Sequence, residues 1–155
     1  MSLDSMIVDI SAVFESYVRT VISESAPDHG FVVKDGNLLP RPFFASGDAV
    51  YQVKPDILIE RSGQVQAVFD VKYKPKVSAQ DRYELLSFME ATGSEHAAFI
   101  CPKAAEADPS RFLGITPGGK SMGMIKVDLA ADAMTAEEDK MVASILKVVD
   151  GRYDF

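Results

Sequence analysis

The apolar residues of this chain recur with two different periods, and the change from one to the other outlines the fold. Met6, Ile7, Ile10, Val13, Phe14, Tyr17, Val18, Val21 and Ile22 return every three or four positions, which predicts a helix over about residues 4–24, ended by Pro27 and Gly30. The period then shortens to two. Phe31 to Lys34 reads as a strand before a turn at Asp35-Gly36-Asn37, and after Leu38-Leu39 the chain is interrupted by Pro40 and Pro42. The runs Ala49–Glu60 and Gln64–Lys74 are the strongest strands; in the second, Val65, Ala67, Phe69, Val71 and Tyr73 alternate with polar neighbours, Val68 excepted. That alternation predicts one core face and one polar face. Pro75 closes the run, and Ser78 with Asp81 forms a capping-box pattern that opens a helix to Thr92, stopped by Gly93. A strand at Ala97–Cys101, a loop-rich stretch through Pro109, Pro117, Gly118 and Gly119, and a strand at Met122–Val127 come next. A second capping-box pattern, Thr135-Ala136-Glu137-Glu138, opens a last helix running to Gly151, with Met141, Val142, Ile145, Leu146 and Val149 on one face. The order α, several β, α, β, β, α, without repeats, linkers or low-complexity tracts, predicts one α/β domain over residues 1–155.

Length and composition agree with that reading. The chain has 155 residues, 47% hydrophobic and 25% charged, the make-up of a globular domain. No apolar run approaches the roughly 20 residues that span a bilayer, and Asp4 and Asp9 stand where a signal peptide carries positive charge, so a soluble, cytoplasmic protein with no membrane partner is expected. The single cysteine, Cys101, reads as a buried thiol, and His29 and His96 as isolated loop or strand-edge residues. A net charge of −7 argues against a protein that coats nucleic acid. The acidic residues gather in 1–30 and 128–155, however, whereas 71–127 carries a small basic excess with Lys72, Lys74, Lys76 and Arg82 close together. Two readings fit that cluster, a basic working face and a solvated edge.

Pro55-Asp56 and Asp70-Val71-Lys72 flank a short apolar hairpin. Side chains two apart on a strand share a face about 6–7 Å apart, so Asp70 and Lys72 project together. Asp56 joins them only if opposed residue numbers sum to an even number, which asks for an odd loop. Arg61-Ser62-Gly63 would supply it, with Gly63 in the left-handed position, whereas a two-residue Ser62-Gly63 turn would put Asp56 on the other face. In the odd register Ile57 and Ile59 join Ala67 and Phe69 in one apolar layer, while Asp56, Glu60, Gln66 and Asp70 share the other. Two carboxylates beside a strand carbonyl, that of Val71, form an oxygen-rich site suited to Mg²⁺ or Mn²⁺ rather than zinc. A metal there would activate water for phosphodiester hydrolysis while Lys72 polarises the phosphate or positions the nucleophile. A chance Asp-x-Lys on a half-exposed strand is the plainer alternative.

Phe14-Glu15, Pro55-Asp56, Asp70-Val71-Lys72-Tyr73-Lys74 and Asp81-Arg82-Tyr83-Glu84-Leu85-Leu86-Ser87-Phe88 together resemble the PD-(D/E)XK nuclease superfamily over about residues 10–102, and within it most resemble McrC-like nuclease domains of 5-methylcytosine restriction systems. The resemblance implies a restriction-endonuclease-like core with a mixed central β-sheet flanked by helices. It implies Asp56 and Asp70 as metal ligands, Lys72 as the catalytic lysine and Glu15 as a further acid, with a solvent-facing helix carboxylate as the alternative for Glu15. Related helices carry Gln and, four residues on, Tyr; this chain has Glu84 and Phe88, which leaves the helix's substrate or metal contacts open. Tyr83 reads either as a core aromatic or as a substrate contact beside Lys74, Lys76, Arg82 and Glu84. Since no Gly-rich phosphate loop is present, a nucleotide-driven motor would be a separate AAA+ GTPase subunit. The N-terminal region usual in such proteins has no counterpart here, so the chain reads as a domain cut from a longer protein or as a compact relative. The expected function is Mg²⁺-dependent DNA endonuclease, in which double-strand cleavage calls for two active sites and hence a homodimer. The alternatives are a non-catalytic nuclease-fold module that binds nucleic acid or a partner protein, and a hydrolase of small phosphoesters.

Overall fold

A computed structural model describes residues 9–155. Helix α1 (Ile10–Ser25) begins where Asp9 caps it, the carboxylate accepting hydrogen bonds from the Ser11 and Ala12 amides at 3.1 and 3.2 Å. The expected start near residue 4 is thus moved to Ile10, and the expected stripe positions Met6 and Ile7 lie outside the described residues. Among the described stripe positions Phe14, Val18 and Ile22 are buried, while Ile10 and Val13 are exposed. A 3-10 turn at Ala26–His29 comes next, closed by Gly30 at φ 74°. The remaining elements are β1 (Val32–Asp35), β2 (Arg41–Pro42), β3 (Gln52–Val53), β4 (Ile57–Arg61), β5 (Gln64–Val71), α2 (Ala79–Thr92), β6 (His96–Pro102), β7 (Arg111–Ile115), β8 (Ser121–Val127) and α3 (Met134–Val149).

Six strands make a mixed sheet in the order β1-β4-β5-β6-β8-β7, with β5, β6 and β8 parallel and the other pairings antiparallel. Helices α1 and α3 cover one face, burying Phe14, Val18, Ile22, Met141 and Ile145 against Ile57, Ile59, Phe69, Ile100 and Ile125. Helix α2 covers the other, where Leu85, Phe88 and Met89 meet Leu58, Val68, Phe99 and Met124. The face expected to be polar is therefore apolar and buried as well, because the parallel strands at the centre need a helix layer on each side. Of the carboxylates on that face Glu60 and Asp70 are enclosed rather than solvated, and Asp56 is half-buried. Glu60 answers its burial with ion pairs to Lys34 (2.7 Å) and Arg41 (3.4 Å).

Several local expectations change. The run Ala49–Glu60 is not one strand: Pro55 lacks the N–H a ladder needs, so Gln52–Val53 pairs with Arg41–Pro42 in a separate small sheet and Ile57–Arg61 enters the main one. Strand β7 forms within the stretch expected to be loop; a register shift between Phe112 and Gly114 breaks its alternation and hides it from a period-two reading. Helix α2 has its full capping box at Ser78 and Asp81 and its left-handed stop at Gly93. The box expected at Thr135 does not form. The helix instead starts at Met134, and the Glu137 carboxylate accepts the Asp128 amide at 2.8 Å, tying β8 to α3.

The hairpin carries the main correction. Its loop is two residues, Ser62 and Gly63, both with positive φ (53° and 77°) as a type I′ turn requires. Arg61 pairs with Gln64 and Glu60 with Val65, the register that would separate Asp56 from Asp70. A β-bulge then sets Gln66 between two ladder positions, and from Ile59↔Ala67 to Ile57↔Phe69 the sums are even. The needed register is reached by a two-residue turn plus one inserted residue, not by an odd loop.

Candidate metal centre

Asp56 sits just before β4 and Asp70 near the end of β5, so continuing the register one step past Ile57↔Phe69 sets them opposite each other. Asp56 is fixed from two sides. Its Oδ2 accepts the Val71 N–H at 2.9 Å, and its backbone carbonyl accepts the Gly36 N–H at 3.3 Å. The turn at Gly36 packs so closely on Pro55 that a Cβ there would lie 2.0 Å from the Pro55 carbonyl oxygen, which requires glycine.

Asp56, Asp70 and Lys72 open on one cleft of about 320 Å³, walled by Tyr51 to Lys54 on one side and by Glu84, Ser87 and Phe88 of α2 on the other. Asp70 is 1% exposed and its Oδ2, although buried, makes no hydrogen bond. Burial first, then the neighbouring Asp56, pushes the Asp70 carboxyl up to about 8. Lys72 Nζ lies 3.3 Å from Asp70 and 3.1 Å from Glu84. Burial alone would depress this amine, but the Asp70 charge and the Glu84 hydrogen bond raise it, so Lys72 stays a cation. Formally the cleft sets three carboxylates, Asp56, Asp70 and Glu84, against two amines, Lys54 and Lys72.

This donor set fits a hard cation. An enclosed carboxylate oxygen without a hydrogen bond, facing a second carboxylate and sharing its one ammonium with Glu84, stays costly until more positive charge joins it. Among the described residues no three His, Cys, Asp or Glu side chains converge on one point, so the cation would rest on two carboxylates completed by a backbone carbonyl and water, the coordination Mg²⁺ prefers.

The other expected residues scatter. Val71 turns its side chain into the α1–α3 core and offers the site its backbone. Glu15 lies on α1, where Arg19 and Asn37 (2.8 Å) hold its carboxylate. Its pKa is raised by burial and then by Asp56, which places it within electrostatic reach of the site without lining the cleft. Lys74 is taken up by Asp81 at 2.7 Å, and this pairing with the Ser78 cap outweighs burial to hold Asp81 down to about 2. Lys76 is exposed, and Arg82 lines a different hollow with Leu113 and Ile115. Tyr83 is 67% exposed, so its reading as a core aromatic is wrong: it sits on the solvent side of α2. Sequence reasoning missed Tyr51, Lys54 and Ser87. The first two lie within four residues before Pro55, but the single-strand reading of that run concealed that they form a wall. A larger hollow, about 410 Å³, lies between β8 and α3, where Lys126 pairs with Asp108 (3.0 Å) and Lys140 with Glu137 (3.7 Å).

Cys101 is buried as expected, its thiol pushed up to about 11 by desolvation. His96 begins β6, with its ring against Gly151.

A family model described as McrBC 5-methylcytosine restriction system component matches residues 2–102, a stretch that holds α1, the hairpin, the cleft residues and α2. No curated protein matches the sequence. Among solved structures, a chain in a refined half-complex from the tetradecameric assembly of Thermococcus gammatolerans McrB AAA+ hexamers with bound McrC is similar, with a TM-score of 0.62 and 16% identity over 91% of this chain and 34% of that one. At that identity the likeness speaks to the fold, and the present chain spans about a third of that chain's length. The family match covers well over half of the sequence, and the chain belongs to the McrBC 5-methylcytosine restriction system component family.

Proposed function

We propose that this chain is a Mg²⁺- or Mn²⁺-dependent DNA endonuclease domain of the PD-(D/E)XK type, the cleaving part of a modification-dependent restriction system. One observation carries the reading: the buried Asp70 Oδ2, which makes no hydrogen bond, faces Asp56 in an open cleft and has only the ion pair with Lys72, itself shared with Glu84. Asp56, Asp70 and the Val71 carbonyl would hold the cation. When bound, it would supply Lewis acidity and a water of lowered pKa. The chain's own residues do the rest. The Val71 N–H orients Asp56 toward Asp70. Lys72, kept protonated, is a donor to a phosphate oxygen rather than a base. Glu84 shares that amine and would release it to an incoming phosphate. Glu15, set back by Arg19, tunes the charge felt by Asp56 rather than contacting the metal.

The family and the solved neighbour, which contains AAA+ hexamers, support a separate nucleotide-hydrolysing partner; DNA and a second copy of the domain complete the proposed assembly. The test is plasmid cleavage in Mg²⁺ by the full protein with that partner. Asp70→Asn should lower the rate at least about a hundredfold, within the range that metal and electrostatic groups contribute. Undiminished Mg²⁺-dependent cleavage by that variant would overturn the proposal. The non-catalytic reading keeps one observation in its favour, the Lys72–Glu84 pair that occupies the amine. It predicts no saturable Mg²⁺ or Mn²⁺ binding.

A further inference from the structure

The arch between β2 and β3 carries three aromatic rings in mutual contact, of which Phe43 packs on the core while the other two are exposed. Phe43 packs against the α2 layer. Phe44 and Tyr51 meet it edge to face, with centroids at 4.9 and 5.5 Å and ring planes at 85° and 81°. The Phe43 N–H donates to the Tyr51 carbonyl at 3.0 Å, so backbone as well as rings fixes the arrangement. Tyr51 is nevertheless 58% exposed and Phe44 47% exposed, a large apolar area that the fold itself does not use.

Its position gives that area a purpose. Tyr51 lies in the wall of the same cleft whose floor is Asp56, Asp70 and Lys72, and the exposed Lys54 lines that cleft as well. Wall and floor line one cleft of about 320 Å³, so a phosphate held on the floor would carry its own base toward the wall. Inside a duplex the faces of that base are covered by its neighbours, so a free aromatic ring has nothing to stack on. An unpaired base exposes both faces, and aromatic rings combined with cationic side chains are how proteins hold single strands.

We propose that Tyr51, supported by Phe44, is a stacking platform for an unpaired nucleobase, and that the strand entering this cleft is single-stranded or locally opened. The inference rests on the nuclease reading for its account of the floor, and adds the state of the substrate. Tyr51 acts by positioning the strand. Lys54 meets the neighbouring phosphate.

The test uses the full chain in EDTA and low salt, with one oligonucleotide carrying 2-aminopurine, offered single-stranded and as a duplex. Wild type should quench the fluorescence of the single strand, and Tyr51→Phe should do the same. Tyr51→Ala should bind the single strand about tenfold more weakly, the scale of one base–aromatic stack, and lose the quenching, with duplex binding unchanged. Equal behaviour of wild type and Tyr51→Ala would overturn the inference, as would an equal loss on both substrates. So would a Tyr51→Ala chain that binds the strand normally but fails to hold its protein partner, which would make the patch a protein-docking surface. Quenching in a chain that cleaves no DNA in Mg²⁺ leaves this inference standing and removes only the nuclease reading; cleavage indifferent to Tyr51 does the reverse.

Discussion

Asp70 is placed where a carboxylate needs more positive charge than the shared Lys72 ammonium brings. It is enclosed by sheet and helix, faces another carboxylate and has one oxygen without a hydrogen bond. Lys72 offsets part of that cost but is shared with Glu84. The folded pKa of about 8 lies above the unfolded value near 4, so folding takes up a proton between those limits. The stability contributed by this group is therefore full below about pH 4, falls as pH rises, and is lost once pH passes about 8. Asp70→Asn removes the titration while keeping the shape. In EDTA the variant should melt close to wild type near pH 4 and above it at pH 9, by up to a few kcal/mol, each tenfold change in proton affinity being about 1.4 kcal/mol. Thermal melts across that range check it. Mn²⁺ should raise the wild-type midpoint and leave the variant's unchanged; a variant no more stable than wild type at pH 9 would mean that Asp70 carries no buried penalty.

At the scale of elements, the hairpin shows how a site depends on backbone detail that periodicity cannot display. The apolar pattern of β4 and β5 asks for an even register at Ile57 to Phe69, and the strands have it. How the chain reaches that register is not legible, because Ser62-Gly63 and Arg61-Ser62-Gly63 are both acceptable turns and a bulge at Gln66 leaves no compositional mark. Turn chemistry can be tested directly. In the two-residue turn Ser62 carries φ 53°, which Asn tolerates and β-branched residues resist. Ser62→Asn should gain about 0.5 kcal/mol and Ser62→Val lose about 1 kcal/mol or more in denaturant midpoint. Equal stabilities would show that Ser62 is not held in the left-handed region. The same reasoning explains β7, hidden by its register shift, and α2, which is plain because Ser78, Asp81 and Gly93 mark both its ends.

Across the whole molecule, helices on both faces of a mixed sheet turn a pair of short motifs into an enclosed site. Asp56, Asp70 and Lys72 are legible in the sequence, since motif and alternation agree on them, and the fold gathers these with Glu84 in one cleft. Lys74, Lys76, Arg82 and Tyr83 cannot be placed that way, because the direction of a surface side chain depends on neighbours that no local pattern encodes. Nor does any local pattern show that Tyr51 and Lys54 wall the cleft, since that depends on Pro55 diverting the chain out of the main sheet. No helix among the described residues is long and apolar enough to cross a membrane. The arrangement as a whole, a negatively biased cleft with a captive lysine at the ends of β4 and β5, makes sense around a divalent cation. Crystals soaked in Mn²⁺ and measured at the manganese absorption edge address that point most directly. The account predicts an anomalous peak within about 2.0–2.6 Å of carboxylate oxygens of both Asp56 and Asp70; a fully soaked crystal with no peak between them would contradict it.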